Sequence, residues 1–209
     1  MIPVNIKAVR YIPNASAELC KALELPNHSR SLGLITTDSD DPTYIALDEA
    51  TKAAEVFVCY ARSFYAGAAN ASTPYAGEVI GILCGATPDA VKSGMNAALS
   101  ALHQIGFDEL DGIPFLAHTI SSCGSHLSQE TGAPIGTALA YLIAPPIESI
   151  IGLDAALKAS DVRLCKLYPP PSETNFAGGI LCGTQSACAA ACSAFRDAIA
   201  NFARNPREE

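Results

Sequence analysis

Apolar positions along this chain follow two periods, and the changes between them outline the elements. Val91, Met95, Ala98, Leu99 and Leu102 recur at i, i+4, i+7, i+8 and i+11, which is one face of a helix. Thr87 as N-cap, Pro88 at the first helical position and Asp89 in the first turn open that helix, and Gly106 marks its end. Cys188, Ala191, Cys192, Phe195, Ile199 and Phe202 draw the same face near the C-terminus. Short apolar runs bounded by Gly, Pro, Ser and Asn predict strands at 32–36 and 56–60, with a third ending in the last Gly of GILCG. Strands at 139–144 and 162–168, and another run ending in GILCG, repeat the series. Helices are predicted at 15–23, 47–54 and 153–160.

The repetition is literal. Residues 45–58 (IALDEATKAAEVFV) and 151–164 (IGLDAALKASDVRL) share seven of fourteen positions. GILCG stands at 81–85 and again at 179–183, and SLGLI at 31–35 has a looser counterpart in ALAYL at 138–142. The chain is therefore two copies of one unit, with domains expected at 1–108 and 109–209. Strand–helix–strand followed by strand–helix predicts an α+β fold, an α/β sandwich whose mainly antiparallel sheet carries helices on one face. The segments before each unit, 15–23 and 118–136, are expected to finish the sheet.

Composition narrows the function. Hydrophobic residues make up 49% of the 209 residues and charged residues only 16%, which suits a chain that hides surface in an assembly. The net charge of −8 argues against a nucleic-acid partner, which requires a basic footprint. The longest apolar run, 138–147, is broken by Pro145 and Pro146 and is shorter than the ~20 residues of a membrane span. Lys7 and Arg10 lie inside the N-terminal apolar stretch, unlike the order of a signal peptide. A cytosolic protein is expected, with no membrane partner and no cofactor. In that compartment all eight cysteines are expected to be reduced, and the sequons at Asn14, Asn27 and Asn70 are chance matches.

Several residues carry possible chemistry. Cys188 and Cys192 stand four apart on one helix, as half a metal site would, but aligning Thr87 with Thr184 matches them to Val91 and Met95, which favours core packing. Cys84 and Cys182 are matched strand residues, buried as small hydrophobes. His118, Cys123 and His126 lie close together in HTISSCGSHL, yet no third orienting group accompanies them, so a structural role is favoured over catalysis. The acidic run Asp38, Asp40, Asp41 follows a strand and reads as a solvated turn or a weak divalent-cation site.

The phrases GLDAALKASDV and ALDEATKAAEV resemble the bacterial microcompartment shell domain. RSLGLITTDSDDPTYIALDEATK, RSFYAGAA, AGEV, FLAH, APPIES, PPPSETNFA and the closing ARNP are similar to the tandem, circularly permuted shell proteins of the ethanolamine-utilization compartment, the L-type family. The resemblance runs end to end. It implies a structural tile and not a catalyst: two tandem circularly permuted shell domains, a homotrimer acting as a pseudohexamer, contacts with other shell proteins, and metabolite pores.

The resemblance also implies sites. Lys52 and Lys158 share one repeat position and match the family's tile-edge lysine. Asp40, Asp41, Glu78 and Phe107, with Thr174, Asn175 and Phe176, match a small pore that binds ethanolamine. An ammonium with a hydroxyl suits carboxylates, an aromatic face and amide or hydroxyl groups. Glu78 follows Gly77 where the second copy has Gly178, so its carboxylate lies outside the repeated scaffold. The loops at 61–76 and 168–178 are the natural pore lining, with Ser63, Phe64, Tyr65, Tyr75, Asn175 and Phe176 as its residues. The other class in view is a cytosolic small-molecule sensor built from duplicated α+β domains.

Overall fold

The computed structural model describes residues 1–65, 73–170, 172 and 174–207. The expected pore loop at 61–76, the sequon Asn70 and the PPPSETNF segment therefore lie partly outside the described residues. The chain forms two compact units, one of residues 3–105 and 124–127, the other of residues 1–2, 106–123 and 128–209.

In the first unit four strands make one sheet: β1 (Ile6–Ile12), β2 (Ser31–Thr37), β3 (Val56–Ser63) and β4 (Val79–Gly85). Their order is β1-β2-β4-β3, and every neighbouring pair is antiparallel. Three helices accompany them: α1 (Ala17–Ala22), α2 (Asp40–Ala53) and α3 (Pro88–Leu102). Side chains alternate across a strand. Ile35 and Leu83 therefore face α2 and α3, where they join Leu47, Ala50, Val91, Met95 and Leu102 in a core. Leu32, Ile82 and Cys84 face the other way and are covered by Cys20 of α1 and by Leu23 and Leu25. The two long helices share one face, as expected, and the short α1 takes the opposite one.

The second unit holds a five-stranded sheet of β5 (Asp108–Leu110), β6 (Ile113–Ile120), β7 (Ala138–Ala144), β8 (Val162–Tyr168) and β9 (Ala177–Gly183). Its order is β5-β6-β7-β9-β8, again antiparallel throughout. α5 (Pro146–Ala159) and α6 (Gln185–Arg204) pack on one face over Ala140, Leu142 and Leu181. A Cβ at Gly152 would stand 2.6 Å from the ring of Phe195, so only glycine lets these helices meet so closely. α5 is apolar nearly all round: Leu153 and Ala156 are buried while Ile147, Ile150, Ile151 and Leu157 are exposed. Among the described residues no helix is long and apolar enough to cross a membrane.

The caps agree with the sequence. Thr87 Oγ1 accepts from Ala90 N–H and Thr184 Oγ1 from Ala187 N–H, both at 3.2 Å, so the two long helices start alike. Cys188 and Cys192 sit in the core, as the alignment with Val91 and Met95 implies. Burial pushes the Cys188 thiol up to about 11.

Three expectations are corrected. α2 and α5 begin at Asp40 and Pro146 rather than at 47 and 153, because Asp40, Asp41 and Pro146 suit a first helical turn. Strand β3 runs on to Ser63, so Ala61, Arg62 and Ser63 belong to a strand and not to the loop expected from 61. The cysteines are not all free: Cys165 of β8 and Cys182 of β9 form a disulfide.

Asp48 shows the two copies diverging. It is fully buried, and its carboxylate accepts from the N–H groups of Gly124 (2.6 Å) and Leu127 (2.9 Å), at the start of α4 (Ser125–Thr131). Thr51 Oγ1 accepts from Ser125 N–H at 3.0 Å. Its repeat partner Asp154 is exposed and pairs with Lys158. Asp48→Ala leaves buried N–H groups without an acceptor, and a loss of roughly 2–3 kcal/mol is expected. Chemical denaturation checks it, with Asp154→Ala as the near-neutral control; equal losses in both would remove the assigned role of Asp48.

Candidate functional site

The first turn of α2 brings an acidic pair into a partly enclosed place. Asp40 and Asp41 are each only 7% exposed, so the run is not the solvated turn that the sequence suggested. The Ser63 hydroxyl donates to Asp40 Oδ2 at 2.7 Å and lies 2.6 Å from the Tyr44 hydroxyl. Asp41 N–H donates to Asp40 Oδ1 at 2.9 Å. Asp38 turns to β1 instead, where it accepts from Asn5 N–H and Nδ2 (both 2.8 Å) and faces Lys7 Nζ at 3.4 Å.

Glu78 reaches this group through the sheet. Thr37 pairs with Val79, so Glu78 lies just past the end of the β2–β4 ladder. Its N–H donates to Thr37 O at 2.7 Å, and its carbonyl accepts from Phe64 N–H at 2.9 Å. A Cβ at Gly77 would fall 2.2 Å from Thr37 O, so glycine is required for this approach. The half-buried Glu78 carboxyl is held above the ordinary carboxylate range, first by burial and then by the charges of Asp40 and Asp38. The structure thus joins Asp40, Ser63, Phe64 and Glu78, three separate stretches of sequence.

The register corrects one alignment. Thr37 pairs with Val79 and Ala144 with Ala177, so the counterpart of Glu78 is Phe176 and not Gly178. The counterpart of Gly77 is Asn175, whose φ of 64° is the left-handed conformation that asparagine tolerates. The second copy has Phe176 where the first has the Glu78 carboxylate.

The remaining expected residues lie in the second unit. Phe107 and Phe176 face each other with ring centroids 5.2 Å apart. Thr174 and Asn175 belong to a tight turn: Thr174 N–H donates to Ser172 Oγ (3.3 Å) and Asn175 N–H to Ser172 O (3.1 Å). Of the expected pore aromatics, Phe64, Tyr65 and Tyr75 are exposed and flank residues 66–72. Lys52 and Lys158 occupy matched last-turn positions of α2 and α5 and pair with Glu49 and Asp154 on their own helices. Their side chains differ in exposure, 26% against 74%.

The group HTISSCGSHL is taken up by packing. Cys123 is fully buried and donates to Pro134 O at 3.4 Å, and the His126 ring lies 6.2 Å from that of Tyr44. Among the described residues no three His, Cys, Asp or Glu side chains gather as a metal would need. The Ser63–Tyr44 link to Asp40 was not legible in the sequence, since nothing in the spacing announces a bond across 23 residues.

A carboxyl whose pKa rises on folding binds protons more tightly in the native state. Glu78 therefore costs stability once pH climbs above 4.5, its ordinary value. Glu78→Gln is expected to melt above the wild type at pH 7, with the gap closing toward pH 4. Thermal scans across that range check this, and a constant gap would count against the electrostatic cause.

Comparison with known proteins completes the picture. Residues 31–110 match the BMC domain. The bacterial microcompartment shell protein EutL of Clostridium perfringens is 56% identical over 210 residues, covering 99% of this chain and 97% of that protein. The Escherichia coli EutL is 49% identical over 211 residues, covering 99% and 96%. The crystal structure of the ethanolamine utilization protein EutL from Leptotrichia buccalis aligns with a TM-score of 0.94 at 54% identity, covering 100% of this chain and 98% of that one. With about half of its residues shared from end to end, the chain belongs to the EutL family of bacterial microcompartment shell proteins, which are structural components and not enzymes.

Proposed function

We propose that this shell protein assembles as a homotrimer whose paired domains, 1–108 and 109–209, imitate a hexamer. The trimers tile with other shell proteins into the wall of an ethanolamine-utilization compartment in the cytoplasm. Each carries a gated central pore, and ethanolamine bound at a side pore regulates it.

The observation that carries the gating is the network from the acidic pair to the candidate pore segment. Asp40 is hydrogen-bonded to Ser63, and Glu78 is bonded through its carbonyl to Phe64. Both partners stand where the chain leaves β3 for the segment flanked by Tyr65 and Tyr75. An ammonium ion drawn to Asp40, Asp41 and Glu78 acts on the same groups that fix the root of that segment. A ligand shifts such an equilibrium only if it binds one state better than the other. In this reading Phe107 and Phe176 offer aromatic faces, each worth roughly 0.5–2 kcal/mol to a cation. Thr174 and Asn175 meet the ligand hydroxyl.

Assembly draws support from exposed apolar surface. Ile147, Ile150 and Ile151 on α5, with Phe57, Tyr60, Leu164 and Leu167 on the edge strands β3 and β8, are costly to leave in water.

Calorimetry with ethanolamine tests the side pore. Asp40→Asn and Glu78→Gln are each expected to weaken binding about tenfold, the loss of one charge-assisted contact. Unchanged affinity in both refutes the assignment. Negative-stain microscopy with light scattering tests the tile. Ordered layers of trimers are expected, and Lys52→Asp with Lys158→Asp should abolish layers while sparing trimers. Discrete particles that never tile would favour the sensor.

A further inference from the structure

β3 and β8 each carry a β-bulge at the same repeat position, and each bulge holds a cysteine. In the first unit the register with β4 shifts between Val58 and Tyr60, which isolates Cys59. In the second the register with β9 shifts between Leu164 and Lys166, which isolates Cys165. The facing strands supply the partners from GILCG: Cys84 stands opposite Phe57, and Cys182 opposite Arg163. The four positions therefore form two equivalent cross-strand pairs. Cys165 and Cys182 are joined as a disulfide, whereas Cys59 and Cys84 are free and share a side-chain hydrogen bond.

We propose that Cys59 and Cys84 are a redox-active dithiol that closes to the disulfide its repeat partner already forms, by exchange with a low-molecular-weight disulfide. Equivalent backbone carries both pairs, so closure asks for no geometry that the domain does not hold elsewhere in the same chain. The accessibilities assign the order of events. Cys59 is half-buried at an edge strand and meets the incoming disulfide R–S–S–R, while Cys84 is fully buried behind it. The Cys59 sulfur attacks one sulfur of R–S–S–R, the S–S bond breaks, and R–SH leaves with the Cys59 proton. Cys84 then attacks the Cys59–S–S–R bond and releases the second R–SH. Two electrons pass from the cysteine sulfurs to R–S–S–R, and two thiols become one disulfide. The hydrogen bond they share, with Ser29, lowers the Cys84 thiol, while the same bond and burial raise that of Cys59. Cys84 is therefore the member that ionises and serves as the internal base for the Cys59 proton during the attack.

The site has a structural reach. Cys59 lies four residues before Ser63, on the strand that leads to the candidate pore segment. A second covalent tie would fasten that strand to β4.

The full-length protein, fully reduced and then exposed to oxidised glutathione, is measured by intact mass and by non-reducing peptide mapping. The expected product is four hydrogens lighter than the reduced chain, and its map shows Cys59 linked to Cys84 and Cys165 linked to Cys182. Cys59→Ser should lose only two hydrogens and keep the Cys165–Cys182 link. A wild type that loses only two hydrogens, retains a glutathione adduct on Cys59, links Cys59 to another chain, or loses none overturns the proposal. The wild-type map decides the matter should the variant fail to fold.

Discussion

Where two strands pair with side chains on both faces buried, their register cannot drift. In β2–β4 and β7–β9 a slip of one residue would exchange the face under the long helices for the face opposite, turning Ile35 and Leu83 out of the core. That constraint reaches well beyond the sheets. It sets Glu78 just before Val79 and beside Thr37, and in the other copy it sets Phe176 just before Ala177. It also returns each bulge to the same cysteine. The close approach of Gly77 to Thr37 O depends on the same register.

The acidic residues of the first unit divide their work by environment. Asp38 is offset by Lys7 and Asn5 and acts as a brace between β1 and the end of β2. Asp40 starts α2, where the helix dipole favours a negative charge, and its second oxygen takes the Ser63 hydroxyl. Glu78 has neither advantage and carries the electrostatic strain of the group. Unequal neighbours therefore single out Glu78 as the carboxyl whose charge is least favoured.

Much of this architecture is legible in the sequence. The repeat, the Thr87 and Thr184 caps, the antiparallel α+β architecture and the core role of Cys188 and Cys192 all follow from periodicity and alignment, since burial leaves a periodic trace. The beginnings of α2 and α5 were not visible, because Asp40, Asp41, Pro42 and Pro146 resemble turn residues until a helix N-terminus claims them. β1 went unread for a similar reason: IKAVRYI lies at a sheet edge and is only half-buried, so it lacks a clean alternation. The Glu78 alignment failed because loops differ in length and only hydrogen-bond register fixes their ends. The second cysteine of each pair was within reach. The matched stretch 45–58 against 151–164 stops one residue short of Cys59 and Cys165.

Fusion of two copies in one chain has its own consequence at Asp40. Its structural counterpart at the start of α5 is Pro146, and the acidic residue of that turn is Glu148, so the Asp40–Asp41 pair itself belongs to the first copy alone. A ring of separate single-domain subunits must repeat each mutation at every position, because symmetry copies it. A tandem gene escapes that rule: one half can change while its twin keeps its own residues, as the Asp40–Asp41 turn and the apolar α5 show. The duplicated fold thereby lets the two halves of one chain differ where identical subunits could not.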